Sequence, residues 1–309
     1  MTIPPRFQVP IFFITVIIGV AIAISIAEGS FIPAALLLGA GIFALVIFQA
    51  VKEIVLGIQW NRPVRFLDEP IPGHWEAIIA EQFPLFNRLK AEEKTSLLRY
   101  VQLFLSNKNI EGAGGLEVTE AMRLSIAAQA CILLINMGVP CYPNLRTVIV
   151  YEGTYRPRNE ARPNTGGQIV HAPGWRLGES WTHGTVVLSW QSTESGASNT
   201  TDGHNVVMHE FAHQLDQEDG VADGVPLLRH PSTLRGWGEV LGTHYDKLKK
   251  AKKKNRRTLL RKYGATNPAE FFAVATEAFF EKPYYMKKKQ PDLYEELKTF
   301  YEHDPASWT

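Results

Sequence analysis

The sequence predicts an α+β domain that follows an N-terminal pair of apolar helices. In the 309 residues, apolar side chains are concentrated in the first fifth of the chain, and two β-branched segments lie near the middle. Helical periodicity dominates the rest of the chain after the first fifth. The 32 Lys and Arg residues nearly balance the 31 Asp and Glu residues. Overall charge therefore selects neither a nucleic acid nor an acidic partner.

Two uncharged runs, 7–27 and 29–51, each have the length of roughly 20 residues that a helix needs to cross a bilayer. Glu28 separates them, which predicts a hairpin of two membrane-spanning helices over 7–51. A signal peptide beginning at Arg6 is the alternative for the first run, but it would leave the second run in place. Positive residues flank the hairpin on its outer sides, so we expect a membrane location with the following domain facing the cytoplasm. The two cysteines fit a reducing compartment.

Proline and glycine residues after Trp60 predict a linker, which divides the chain into a hairpin with linker, 1–66, and a second domain, 67–309. Within the second domain, helices are predicted at Trp75–Leu89, at Ala91–Leu105 and from Thr119, and strands at Arg146–Tyr151 and Thr185–Trp190. The chain from Asn205 onward is again helical in pattern. The order of elements predicts a small sheet that precedes the principal helix.

The segment Asn205–Leu215 contains the pattern HExxH, and Asp202 or Gly203 can cap it. Residues four apart lie on one face of a helix, so His209 and His213 can bind a single zinc ion. Glu210 lies beside them and can act as a general base toward a water molecule that the metal activates. Five residues are a modest match, and a half-buried helix that carries two histidines by chance is the alternative.

A hydrolytic zinc site needs a third protein ligand, and the helix that starts at Asn267 and Pro268 offers three glutamates. These candidates are Glu270, Glu277 and Glu281. Glu270 in the first turn is the preferred ligand, with Glu277 as the partner that orients it or a histidine, although spacing alone does not separate these two. Both lie among apolar neighbours and need partners, because an unpaired buried carboxylate is costly.

The segments HEFAHQLD, KYGATNPAEFFAVATEAFF and FYEHDPASW resemble the Mlc titration factor family of zinc peptidases, and the similarity extends through GLEVTEAMRLSIAAQACILLIN and VVLSWQS. The resemblance implies a zincin-like, gluzincin-type metallopeptidase domain with one zinc ion on His209, His213 and Glu270. It also implies a general base at Glu210 and an active-site tyrosine at Tyr263. Expected partners are a peptide or protein substrate, cleaved with aminopeptidase-like activity, and the sugar-responsive transcriptional repressor that the family's named member binds.

Several alternatives stay open at this level. A regulatory protein that sequesters a repressor, with catalysis secondary, is the second function that the resemblance allows. Asp216 could orient a ligand histidine or simply end the helix. The basic run Lys247–Lys262 could be a solvated face, a surface for anionic lipid or a nucleic-acid patch, but no nucleic-acid module accompanies it, so no nucleic-acid partner is expected. The strand Val186–Trp190 is the predicted edge for an extended peptide.

Overall fold

The computed structural model describes residues 63–153, 184–228 and 236–308, together with the backbone of 162–163, 169–170, 178–181 and 233–235 and the helical positions 44, 47, 48 and 51. Residues from Pro63 onward form one compact unit. Its helices, numbered in chain order, are α1 (Trp75–Gln82), α2 (Ala91–Asn107), α3 (Glu120–Cys131), α4 (Trp190–Ser198), α5 (Val206–Asp216), α6 (Thr233–Lys253), α7 (Pro268–Glu281), α8 (Pro283–Lys289) and α9 (Pro291–Tyr301). Short 3₁₀ turns lie at Pro84–Arg88, Lys262–Ala265 and Pro305–Ser307.

The strands form one four-stranded sheet and one separate two-stranded pair. They are β1 (Asn109–Gly112), β2 (Thr147–Tyr151), β3 (Arg162–Pro163), β4 (Ile169–Val170), β5 (Gly178–Trp181) and β6 (Thr185–Ser189). The larger sheet has the order β1-β2-β6-β5, in which β1, β2 and β6 are parallel and β5 is antiparallel to β6. β3 and β4 pair antiparallel. The predicted α+β domain, with a small sheet ahead of the HExxH helix, is confirmed.

The predicted docking edge at Val186–Trp190 is wrong. β6 is an interior strand, with β2 on one side and β5 on the other, and Trp190 already begins α4. The backbone groups of β6 are therefore used inside the sheet. Among the described strands of this sheet, β1 and β5 lie at the two edges, and β5 also packs against α5.

The first predicted helix is interrupted. The periodicity that predicted one helix over Trp75–Leu89 continues through a proline, and the structure ends α1 at Gln82 and opens a 3₁₀ turn at Pro84. Proline lacks the amide proton that a continuing helix would use. The predicted cap at Thr119 is confirmed, since its hydroxyl accepts a hydrogen bond from the amide of Met122 at 3.2 Å.

The predicted membrane location, with a domain held at the cytoplasmic face, is wrong on the evidence of the described helices. In that part of the chain, no helix is both long enough and apolar enough to cross a membrane. α6 has 21 residues, but its second half is rich in lysine. The runs 7–27 and 29–51 that suggested two spans lie outside the described residues except at positions 44, 47, 48 and 51.

α7 is the central helix of the compact unit. All of its residues except Pro268 and Glu270 are buried, because its sequence is apolar around the whole circumference. It packs against α5, α6, α8, α9 and the turn Lys262–Ala265. Phe272 lies in an aromatic cluster, with its ring centroid 5.6 Å from that of Trp237 and 5.8 Å from that of Phe300. Burial of each such side chain stabilises the fold by roughly 1.5–3 kcal/mol, so the carboxylates of α7 are held on a rigid support.

Candidate metal centre

α5 begins after an asparagine whose side chain makes three hydrogen bonds. Asn205 caps the helix through its side-chain oxygen, which accepts from the amide of Met208 at 2.9 Å. Its side-chain nitrogen donates to Gln129 Oε1 at 3.0 Å and to the Gly196 carbonyl at 3.2 Å. The predicted caps, Asp202 and Gly203, precede the helix and do not cap it. The start of α5 is thereby fixed against α3 and α4.

Three side chains converge one turn further on. His209 Nε2 lies 3.0 Å from Glu270 Oε2, and His213 Nε2 lies 3.6 Å from the same oxygen. One ligand atom from each of these residues can be chosen so that all three lie within 4.8 Å of one another. Among the histidine, cysteine, aspartate and glutamate side chains of the described residues, these three form the cluster that could hold a metal ion.

The donor set fits a divalent metal ion. Ligands about 2.0–2.1 Å from a tetrahedral zinc ion stand roughly 3.3 Å apart, close to the separations of both histidines from Glu270. Burial alone would lower the pKa of His209, but hydrogen bonds to Glu270 and Glu277 raise it to about 10. Burial raises the pKa of Glu270, and the two histidines more than reverse this and hold it well below its usual range. Positive charge between these groups is therefore strongly stabilised, whether a proton or a metal ion provides it.

Glu277 orients His209 from the opposite side of the ring. Its Oε1 accepts from His209 Nδ1 at 2.7 Å and from Arg261 Nη2 at 2.5 Å. Its Oε2 accepts from the Asn205 amide at 2.8 Å and from Arg261 Nη2 at 2.7 Å. The side chain is fully buried, and its two oxygens offer about four acceptor positions, all of which are used. Nδ1 of His209 thus donates to Glu277, and Nε2 faces the metal position.

Glu210 and Tyr263 complete the surroundings of the three ligand side chains. Glu210 is buried beside His209 on α5, and its charge acts on both His209 and Tyr263. The Tyr263 ring centroid lies 5.9 Å from that of His209, and about half of this tyrosine is exposed. Burial and the neighbouring Glu270 carboxylate raise the pKa of Tyr263 to about 12. The phenol therefore keeps its proton and can donate a hydrogen bond at neutral pH.

The turn that carries Tyr263 is wedged between two helices. A Cβ added at Gly264 would meet Val274 Cβ at 3.2 Å, the Glu270 carbonyl at 3.4 Å and Leu248 Cδ2 at 3.4 Å. The turn therefore touches both α6 and α7 at a point where only glycine avoids crowding. This close contact and the Arg261–Glu277 ion pair set the position of Tyr263.

Comparisons with known proteins agree with this geometry. The family profile described as "Glucose-regulated metallo-peptidase M90" matches residues 58–302. An uncharacterized protein of Synechocystis, slr2042, is 36% identical over 249 residues, which cover 80% of this chain and 90% of that protein. Mlc titration factor A of Pectobacterium atrosepticum is 31% identical, with 76% of this chain and 87% of the relative covered. The protein of the same name from Serratia proteamaculans is 29% identical, with 76% and 88% covered.

The chain belongs to the M90 metallopeptidase family. The resemblance inferred from the sequence segments is therefore confirmed. Membership of this family suggests a metallopeptidase-like protein that binds a metal ion. The M90 chain brings His209, His213 and Glu270 together, and Glu210 and Tyr263 lie beside them.

Two contributors to the M90 site were missed by sequence reasoning. Arg261 was counted in the basic run, where nothing in the local pattern separates it from solvated cations, but it binds Glu277. Asn205 was identified only as the start of the helical segment, although an asparagine before an apolar helical run is a recognised cap.

Of the two alternatives for Asp216, the structure agrees with the one in which this residue ends the helix. Its Oδ1 accepts from the Gly224 amide at 2.8 Å, so it ends α5 and fixes the following loop. A Cβ on Gly224 would lie 2.5 Å from the Pro268 carbonyl oxygen, so this loop packs directly on the start of α7. Burial raises the pKa of Asp216 to about 7.

The M90 metal site leads to a prediction about its two central glutamates. Glu270→Ala should weaken zinc binding far more than Glu277→Ala, because Glu270 contributes an atom to the donor set while Glu277 acts through His209. Loss of such an orienting partner typically costs about 10- to 100-fold in affinity. Chelator competition on the folded variants measures both effects, with the exposed Glu194→Ala as the control. Tighter zinc binding by Glu270→Ala than by Glu277→Ala would exchange the two assignments.

A second prediction concerns pH. Burial, followed by the charges of Asp202 and Glu277, raises the pKa of Glu281 to about 8. The contribution of Glu281 to the unfolding free energy is fully present below the pKa that this carboxyl has in the unfolded chain. That contribution is lost as the pH rises toward 8, at up to about 1.4 kcal/mol per pH unit. Between about pH 5 and 8 the wild type should therefore lose unfolding free energy relative to Glu281→Gln.

Urea unfolding at several pH values measures this difference. The exposed Glu76→Gln is the matched control, and its difference from wild type should stay constant with pH. If the difference in unfolding free energy between Glu281→Gln and the wild type were also constant with pH, Glu281 would not be a neutral carboxyl in the folded protein.

Proposed function

We propose that this chain is a zinc-dependent peptidase whose catalytic domain spans residues 67–309. The observation that carries the proposal is the convergence of His209, His213 and Glu270 within 4.8 Å, with Glu210 adjacent to His209 on the same buried helix. Two imidazoles and one carboxylate leave a fourth tetrahedral position open, as hydrolytic zinc sites require. Membership of a metallopeptidase family supports the same assignment.

The protein residues divide the work of peptide hydrolysis. A zinc ion held by the three ligands would polarise the scissile carbonyl and lower the pKa of a water molecule. Glu210 removes the proton as the water oxygen bonds to the carbonyl carbon, and delivers it to the nitrogen as the carbon–nitrogen bond breaks. Tyr263 donates a hydrogen bond to the carbonyl oxygen while that oxygen carries negative charge. Arg261 and Glu277 hold His209 in place throughout.

The sheet offers a place for an extended substrate next to these residues. β5 is the edge strand that packs against α5, and an open strand edge can pair with the backbone of a peptide. Specificity for side chains would then depend on the surface around this edge and around Tyr263.

Replacement of Glu210 tests the catalytic assignment. Glu210→Gln should retain about one zinc per chain and lose peptide hydrolysis, because the amide has nearly the same shape but cannot accept the proton. The measurement is zinc content beside digestion of a peptide library by the full-length protein. Glu194→Gln removes the same charge from an exposed position of α4 and should behave as wild type. Undiminished hydrolysis by Glu210→Gln would end the proposal that this carboxylate is the base.

Replacement of Tyr263 tests the second catalytic group. Tyr263→Phe keeps the ring and removes the donor, so kcat should fall by about 10²–10³ while zinc content and folding are unchanged. Steady-state kinetics on the best library peptide separate kcat from KM. A loss confined to KM would assign the hydroxyl to substrate binding instead of stabilisation of the oxyanion.

A regulatory binding function is the second candidate, because several relatives carry the name Mlc titration factor A. In that case the domain would bind a regulatory protein and hydrolysis would be secondary. Cells that carry Glu210→Gln in place of the wild type distinguish the two. Full biological function of the hydrolysis-deficient protein would favour binding, and loss of function would favour catalysis.

A further inference from the structure

The end of α6 and the segment after it form a concentrated positive surface. The sequence from 247 to 262 contains ten basic residues and no acidic one. Arg261 and Lys262 are engaged within the fold, with Glu277 and with Asn255 Oδ1. The other eight are exposed, and we call them the basic segment: Lys247, Lys249, Lys250, Lys252, Lys253, Lys254, Arg256 and Arg257.

The basic segment is connected to the turn that carries Tyr263. The contact between Lys262 and Asn255 ties the end of the segment back to the turn that carries Tyr263. Leu248, the buried residue between Lys247 and Lys249, packs against Gly264 in the same turn. Because Tyr263 lies against His209, the basic segment is joined to the turn that contacts the metal ligands.

Local structure accounts for only part of this accumulation of charge: Lys249, for example, lies 3.9 Å from the carboxylate of Asp246. Lysines in the last turn of a helix interact favourably with its carbonyl end, which explains Lys250, Lys252 and Lys253. Lys254, Arg256 and Arg257 follow the last residue of the helix, where the favourable interaction with its carbonyl end decreases. Like charges three or four residues apart on a helix also repel each other, so the segment is destabilised by its own cations. An anionic partner would relieve that repulsion.

We propose that the basic segment selects acidic polypeptide substrates for the adjacent metal centre, an inference that rests on the proposed peptidase function. The segment contains no aromatic residue from 247 to 257 on which the bases of a nucleic acid could stack. Net charge over the whole chain is only +1, so attraction for an anion must come from local surfaces such as this one and not from the protein as a whole. A peptide with clustered carboxylates, drawn to the basic segment, would present its neighbouring bonds to the site.

A matched pair of peptides tests the selection. Both contain the cleaved sequence from the library, and one carries four glutamates at an end where the other carries four glutamines. For the full-length wild type at low ionic strength, kcat/KM should be about tenfold or more higher for the acidic peptide. The ratio of acidic to neutral should fall toward one at about 0.5 M salt, because the screening length then shortens to a few ångström.

Variants locate the effect on the chain. Arg256→Gln with Arg257→Gln, and separately Lys253→Gln with Lys254→Gln, should each lower the ratio several-fold. Lys288→Gln with Lys289→Gln removes the same charge from the exposed end of α8 and should leave the ratio unchanged. An unchanged ratio in both test variants, or an equal fall in the control, would overturn the proposal.

A binding measurement separates this inference from the proposed function. Fluorescence anisotropy of the two labelled peptides on Glu210→Gln reports selection without hydrolysis. Preferential binding of the acidic peptide that is lost in the test variants supports the inference even if no peptide is cleaved. Cleavage without any preference in rate or binding overturns the inference and leaves the peptidase standing. A labelled oligonucleotide that binds more tightly than the acidic peptide, through the same residues, would also overturn it.

Discussion

One fully buried carboxylate, that of Glu277, constrains the rest of the site. A charge in that position is tolerated only when every acceptor position is used, and its four bonds come from His209, Arg261 and the Asn205 amide. These donors belong to the HExxH helix, its cap and the segment that leads to Tyr263. The requirement to satisfy one anion therefore brings two separate parts of the chain to α7, the capped HExxH helix and the segment at Arg261. Removal of either cationic partner would leave a buried carboxylate with unused acceptors, so the ligand geometry and the stability of the core are coupled.

Three glutamates on α7 take different forms because their surroundings differ. Glu270 stands in the first turn, where two histidines favour its charged form. Glu277 lies two turns further in and is matched by an arginine. Glu281 is buried one turn later near two other acids, and its pKa of about 8 favours the neutral form. A single helix thus contributes a candidate metal ligand, an anion that orients a histidine and an uncharged acid. The helix determines only the spacing of the three side chains, and their surroundings determine the differences between them.

The sequence predicted the parts of the site that depend on local spacing. His209, Glu210 and His213 share a face because of helical periodicity, and Asn267 with Pro268 marked the start of the helix that brings in Glu270. Partners from distant segments were not predictable in this way. Nothing adjacent to Arg261 distinguishes it from the exposed cations before it, and the interior position of β6 follows from pairings with two other strands.

Four consecutive residues, 261 to 264, make contacts both at the surface of the protein and in its interior. Arg261 points inward to Glu277, Lys262 binds Asn255 at the end of the basic segment, Tyr263 lies against His209, and Gly264 fits between α6 and α7. Each residue type meets a separate physical demand: a buried counter-ion, a long side chain to tie back a loop, a proton donor, and the absence of a Cβ. Because the four are covalently adjacent, a shift that relieves one contact displaces the others. The catalytic tyrosine proposed here and the surface charge beside it are therefore held in register by the same buried ion pair that orients His209.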